Sequence, residues 1–410
     1  FVTSGDVTNP LVCTAGATSS EESAVEKLKL AISNGGTVQL TEDIEITQTL
    51  YVERSMTLDL NGHVLKMTGD GSVLRVEEGP HPVTLTITDS RSDTSHEDKT
   101  LPAGGVITGG TGTRESWTSY TLGGAVFLEN GMTLKLEGGT LTGSSSDSSV
   151  FIRTGATFVM TGGTITGENF GVHNNVGTFT MTGGRITGCS DRGVYVHNGN
   201  MTMSGTAYIG ENPNARREDI YVYESDHKHT DLSVTGGTIA GNVRIIFLES
   251  LRPTQDDLKA VANSVVKEQG VFNGHIKVGI DDRAGTCVDY NTVNFIDEVA
   301  NTRTLKLVLQ PNAVEKPETP ATVNGREFMY WTKEGASEAW DFNTEIKGPL
   351  TLYAVRTPAS SSGGYYYYPT TDTKADDAKG SPKTADPGVA LYAALSLLSL
   401  TGLTCTAKKR

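Results

Sequence analysis

The chain has 410 residues, with 34 Lys and Arg against 48 Asp and Glu and a net charge of −14. That balance argues against nucleic acid as a partner, since a phosphate-binding face is basic. Four cysteines exclude a disulfide-built scaffold, and 47 glycines beside a hydrophobic share of 36% point to many short strands joined by tight turns.

The chain opens on Phe1 rather than Met, as a mature protein after signal-peptide removal or a fragment would. Residues 1–18 read as a flexible N-terminus. Ser19-x-x-Glu22 then forms a capping box, and Val25, Leu28 and Ile32 fall on one helical face closed by Gly35. Such a helix suits a lid over the open end of a stack of strands. Short strands follow at 36–40, 50–52, 56–60, 64–67, 73–76 and 83–88, with a turn at Asn61-Gly62 inside the segment LDLNGH.

Next comes a repeat: GGVITG from Gly104, GGTLTG from Gly138, GGTITG from Gly162, GGRITG from Gly183, GTAYIG from Gly205 and GGTIAG from Gly236. The steps are 34, 24, 21, 22 and 31 residues, a basic period with two insertions. Each period holds three alternating pieces, such as Val194-Tyr195-Val196, Thr178 to Thr182 and the T-I-T of the glycine motif. Alternation turns Leu134, Leu136, Phe158, Met160, Phe179, Met181, Met201, Met203, Leu232 and Val234 inward, with Ile165, Ile186 and Ile239 in the third strand. One period cannot close a core, but three strands per turn stacked at about 4.8 Å can. That is a parallel β-helix, and a period above 18 with irregular insertions favours the right-handed form over the strict hexapeptide left-handed one. From LDLNGH through the GTFTMTGGTITG-type units, about 36–245, the chain resembles the right-handed, pectin-lyase-like β-helix repeats of bacterial surface proteins.

Candidate site residues lie on the first strand of each coil. Its outward positions align as Phe127, Phe151, His173, Tyr195 and Tyr221, beside Glu129, Arg153, Asn175, His197 and Tyr223. The middle strand offers mainly Thr and Ser outward, and so no general acid or base. An aromatic strip recurring on every coil suits the C–H faces of sugar rings, which makes Phe127, Phe151, His173, Tyr195, Tyr221 and Tyr223 candidate glycan contacts. The same rings can instead stack on one another and stiffen the solenoid, or receive a protein partner. Glu129 and Arg153 read as an ion pair before an acid/base pair. Asp226, His227, His229 and Asp231 are metal-ligating types at short spacing. In an isolated loop they read as a solvated tip, and no metal or cofactor is assigned. The two insertions, 89–123 and 211–231, carry Asp89, Asp93, Glu97, Asp98, Glu115, Glu218, Asp219 and Asp226. An enzyme would need some of these to converge.

Beyond residue 250 the pattern changes. Thr254-x-x-Asp257 opens a helix with Leu258, Val261, Ala262, Val265 and Val266 on one face, closed by Gly270. Strands at 271–280 and 305–309 complete a cap or last irregular coils over 251–310. In 311–356, Gly325, Phe328, Trp331, Gly335, Trp340, Asp341, Phe342, Thr344, Leu350, Leu352, Tyr353 and Ala354 resemble the Listeria–Bacteroides repeat, which implies a small β-grasp-like spacer or contact module. Residues 357–380 are rich in Ser, Gly, Thr, Asp and Lys and read as a disordered stalk.

The chain ends on Ser381-Pro382-Lys383-Thr384-Ala385, 19 uncharged residues over 389–407, and Lys408, Lys409 and Arg410. As a helix the uncharged run would reach about 28 Å, near the thickness of a bilayer core. The three parts resemble a Gram-positive cell-wall sorting signal of the LPxTG type, with Ser381 in place of Leu and Ala385 in place of Gly. The resemblance implies a sortase cutting after Thr384, peptidoglycan as the covalent partner, and an extracellular, wall-attached protein that meets the membrane only through its C-terminal segment. The expectation is therefore an all-β chain: a right-handed parallel β-helix solenoid over 19–250 with helical caps, followed by the β-grasp-like module. Its expected work is display and binding, as an adhesin or as a binder of polysaccharide or surface glycan, without catalysis. The alternatives are a wall-attached polysaccharide lyase or glycoside hydrolase, and a passive surface spacer.

Overall fold

Strict alternation of apolar and polar side chains, broken every few residues by glycine, leaves the chain one economical course: short strands that turn corners and stack on their own copies. The structure, a computed structural model, describes residues 12–15 and 23–358 apart from 78–80, 144–145, 168, 213–217, 228, 266–270, 273 and 281–286. The stalk from residue 359 onward, the sorting signal and the apolar tail lie outside the described residues, as do Ser19, Glu22, Val266 and Gly270. Among the described residues no helix is long and apolar enough to cross a membrane.

Three sheets of parallel strands stack coil upon coil, as in a β-helix solenoid. One carries the outward threonines, as in Thr157–Met160, Thr178–Met181 and Asn200–Met203, and has nine strands. The second follows the glycine corners, as in Thr164–Thr166 and Arg185–Thr187, and also has nine. The third, here the aromatic sheet, includes Val126–Leu128, Ser148–Ile152, Phe170–Asn175, Arg192–His197 and Ile220–Glu224. Val12–Ala15, read from sequence as flexible, pairs in parallel with Gly36–Leu40 in the threonine sheet.

The inward residues named from alternation are all buried. Phe158 and Phe179 stack on successive coils, 4.9 Å apart and 11° from parallel. Each such side chain contributes about 1.5–3 kcal/mol on leaving water. On the outside, Thr202 Oγ1 donates to Thr180 Oγ1 at 3.2 Å, one step of the threonine ladder. The corner needs both glycines for different reasons. A Cβ on Gly162 would sit 2.2 Å from the carbonyl oxygen of Glu137 one coil away, while Gly163 holds φ at +74°.

Helices close both ends. α1 (Ala24–Asn34) packs on the first strands through Leu28, Ala31 and Ile32. Its cap is Ser23, whose Oγ accepts from Glu26 N at 3.3 Å, so the helix starts later than Ser19-x-x-Glu22 would place it. α2 (Gln255–Val265) begins with the expected box: Thr254 N donates to Asp257 Oδ2 at 2.7 Å, and Asp257 N donates to Thr254 Oγ1 at 3.2 Å. Its buried face, Leu258, Val261, Ala262 and Val265, covers the last coil.

The ladder runs past residue 250, because Val271–Phe272 pairs with Thr238–Ile239 and His275–Ile280 with Val243–Phe247. Val288–Asp297, a strand the sequence pattern did not reveal, then turns antiparallel to His275–Ile280 and ends the parallel stack. Thr302–Leu309 and the hairpin of Phe328–Lys333 with Leu350–Arg356 join the same sheet. Trp331 and Leu352 of the repeat-like motif share a core with Val293, Phe295 and Val308. The segment 311–356 is thus built onto the terminal strands, and the described residues show a hairpin there and no separate β-grasp module.

Candidate functional site

The ladder sets the outward columns of the aromatic sheet directly. Phe127 pairs with Phe151, Phe151 with His173, His173 with Tyr195, and Tyr195 with Tyr221. In the neighbouring column Asn175 pairs with His197, and His197 with Tyr223. Cations flank the aromatic run: Arg75 stands opposite Phe127, and Arg244 opposite Tyr221.

This column is not a uniformly exposed strip. Phe127 and Phe151 are completely buried. The cover is an antiparallel hairpin of Thr113–Arg114 with Thr121–Leu122, which places Leu122 against both rings. The hairpin belongs to the first insertion, and its tip leaves Trp117 and Tyr120 exposed, with the Trp117 ring 6.4 Å from Phe151. An ion network anchors it. Arg153 reaches Glu115 at 3.2 Å and Glu129 at 2.7 Å, while Arg75 pairs with Glu129 and lies 2.9 Å from Glu77. Both guanidinium groups lie over the Phe127 ring, at 4.9 and 5.8 Å. Although burial works against its charge, the two glutamates raise the Arg153 pKa, which leaves it a fixed cation and no base. Glu129 and Arg153 are therefore the ion pair that their spacing suggested.

The middle of the column is open to solvent in part. His173 is mostly buried, and its Nδ1–H donates to Asp147 Oδ2 at 2.9 Å. Its ring lies 4.6 Å from Tyr195. Tyr195, Tyr221, His197 and Tyr223 are each half-buried and form a two-by-two array over two coils. Tyr195 and Tyr221 are 5.6 Å apart, His197 and Tyr223 5.5 Å, and Tyr195 and His197 6.5 Å with parallel planes. Two residues not singled out from sequence border the array. Phe170 meets Tyr195 at 5.3 Å, and the Arg192 guanidinium sits 4.3 Å over Tyr221. The two pair across the ladder, but each stands two residues before an inward valine, Val172 and Val194, so strict alternation turns them inward and carried no signal for this placement. Burial pushes the Tyr195 phenol up, so it remains a neutral donor. Burial and the charge of His173 push the His197 imidazole down, so it is neutral near pH 7.

Many of the insertion carboxylates already have structural work. Asp89 accepts from the amides of Gly62 and Gly105, each at 2.7 Å. Asp98 accepts from the Thr100 hydroxyl and amide, which hold its carboxyl low. Glu218 pairs with Arg244 at 3.2 Å and Arg192 at 3.6 Å. Asp219 is buried and accepts from Asn212 and Gly241, both at 2.6 Å; burial still pushes its pKa up. Cys189 is a buried free thiol pushed up to about 12 by burial, and so unreactive.

Glu224 differs from these acids. It ends the strand Ile220–Glu224 on the inward parity, with no exposure, and burial pushes its pKa up to about 8; Thr230 draws it back in part, while Asp231 and Asp226 push it further. Asp226, His227, His229 and Asp231 follow it at the edge of the aromatic sheet. The geometry can thus do two separate things: offer half-exposed rings to a flat, apolar face, and gather carboxylates and imidazoles at a coil corner. Comparison with known protein families, with curated proteins and with solved structures finds no match for the chain.

Proposed function

We propose that the chain is a wall-displayed binding protein whose right-handed solenoid presents a glycan-contact face on the aromatic sheet. The observation that carries this reading is the half-exposed array of Tyr195, His197, Tyr221 and Tyr223, with Trp117 and Tyr120 exposed on the insertion hairpin. Ring faces take up the C–H side of a sugar, while phenol hydroxyls, a neutral imidazole and the Arg192 guanidinium offer hydrogen bonds to its edge. Phe127 and Phe151 act as the buried foundation of this face, and His173 as its floor. The C-terminal hairpin serves as a spacer or contact element toward the stalk. A sortase attaching the protein to peptidoglycan fits the sorting-signal resemblance and an extracellular site of action.

The half-buried, neutral His197 beside Tyr195 favours a second reading, a polysaccharide lyase. There His197 would take the proton on the carbon beside the substrate's carboxylate, which Arg192 would face, while the glycosidic C–O bond breaks and the Tyr195 phenol gives its proton to the departing oxygen. One experiment addresses both. The whole chain is tested on a glycan array and in polysaccharide pull-downs, beside Tyr195→Ala/Tyr221→Ala. The expected result is binding that falls about tenfold or more in the double variant. Binding that survives places the contact elsewhere, and release of unsaturated, ultraviolet-absorbing products establishes the lyase. Absence of binding to any polymer favours a spacer or a protein-binding adhesin.

A further inference from the structure

Glu224 occupies a position that in the next coil belongs to Phe247. Its side chain has no exposure, and among the described residues no donor reaches either carboxylate oxygen in full hydrogen-bond geometry, the Thr230 side chain making only a weak approach. Such a group stays in a folded interior only if it is neutral or if a cation meets it. What faces it is a convergence of ligand atoms. One atom each from Glu224, Asp226 and His227 lie within 4.8 Å of one another. His227 Nε2 is 3.5 Å from Glu224 Oε2 and 3.3 Å from Asp226 Oδ1.

The tautomer of His227 follows from its other nitrogen. Nδ1 lies 2.7 Å from the carbonyl oxygen of His229, which can only accept, so Nδ1 carries the proton. In the neutral ring Nε2 then keeps its lone pair, aimed at two carboxylates. This is how metal-binding histidines are oriented. The distances agree. An imidazolium–carboxylate hydrogen bond closes to about 2.7–2.9 Å. A tetrahedral ion with bonds of about 2.0–2.1 Å holds its ligand atoms about 3.3–3.5 Å apart. His229 stacks on His227 with ring centres 3.9 Å apart, and together with Asp231 it forms an overlapping group at the exposed rim.

We infer that Glu224, Asp226 and His227 form a site for one divalent transition-metal ion of the zinc class, open on its solvent side toward His229 and Asp231. The mixed nitrogen and oxygen donors and the small number of protein ligands disfavour calcium, which takes six to eight oxygens. The ion would match the buried charge of Glu224 and pin the second insertion to the edge of the aromatic sheet.

The test is calorimetric titration of the chelator-treated full chain with zinc chloride, beside Glu224→Gln, Asp226→Asn and His229→Ala/Asp231→Ala. Asp226 is largely exposed, so its variant keeps the fold even if the Glu224 variant does not. The expected result is one ion per chain, affinity about a hundredfold weaker in Asp226→Asn, and a zinc-dependent rise in melting temperature that this variant lacks. Equal affinity in the wild type and Asp226→Asn overturns the site. So does binding lost only in the His229/Asp231 variant, which would place the ion on the exposed rim. Absence of zinc, cobalt, nickel and manganese binding also overturns it.

Discussion

Gly163 shows how one residue constrains the stack. It sits at φ +74°, and a Cβ there would lie 2.8 Å from the carbonyl oxygen of Gly139 in the preceding coil. Gly131, at φ +72°, would meet nothing within 4 Å. Gly131→Ala therefore carries backbone strain alone, about 1–3 kcal/mol, and Gly163→Ala carries strain plus a coil-to-coil clash. Urea unfolding should show the larger loss for Gly163→Ala; equal losses would mean that adjacent coils separate freely. The glycines were readable in the sequence because they recur, and so was the column in which His173 pairs with Tyr195 and Tyr195 with Tyr221, since the apolar residues on either side, as in Val194-Tyr195-Val196 and Ile220-Tyr221-Val222, keep it in register across the insertion. Glu224 was not read as a ligand. The signal was there in a carboxylate at the inward parity of Ile220–Glu224, but it takes the structure to show that among the described residues no cation on the inside meets it.

At the scale of elements, what the sequence hid is what insertions do. Alternation places Phe127 and Phe151 outward, and they do point out of the coil, but 113–122 folds over them and turns surface into core. No local pattern announces that contact, since Glu115 meets Arg153 across 38 residues. The terminal strands repeat the lesson. Val288–Asp297 is tied to Leu350–Arg356 by the buried pair of Arg356 with Asp297: Nη2 donates to Oδ2 at 2.6 Å and Nε to Oδ1 at 3.1 Å. Burial alone would raise the Asp297 carboxyl, yet the hydrogen bonds and charge of Arg356 outweigh it and hold the pKa below the ordinary carboxylate value. A carboxyl depressed in the folded state adds stability that is complete above its unfolded pKa of about 3.9 and disappears as pH falls through the folded value. Amide hydrogen exchange in 326–357 should therefore quicken selectively below about pH 4. In Asp297→Asn it should be fast already at neutral pH and lose that acid step; an unchanged acid step would assign the dependence to another carboxylate.

For the molecule as a whole, the coils contact mainly their neighbours, so the middle and the ends answer differently to damage. Phe179 lies in a central coil, stacked on Phe158. Phe179→Ala removes that contact and leaves a cavity, at a cost of about 3–5 kcal/mol, and the coils above and below still cover each other. Leu258 is equally buried but belongs to α2, which covers the last coil. Leu258→Asp drives that helix off, and the uncovered end then presents unpaired strand edges and an apolar cross-section to solvent. The two losses should separate in size-exclusion chromatography and thermal melts. Phe179→Ala should melt earlier and remain at the wild-type size. Leu258→Asp should keep its β circular-dichroism signal while forming larger species as concentration rises. A Leu258→Asp chain that stays at the wild-type size and only melts earlier would show that α2 stabilises the stack without guarding its end. Protection against end-to-end pairing would then fall to the terminal strands from Val288 onward, the first of which runs antiparallel to His275–Ile280 and interrupts the ladder.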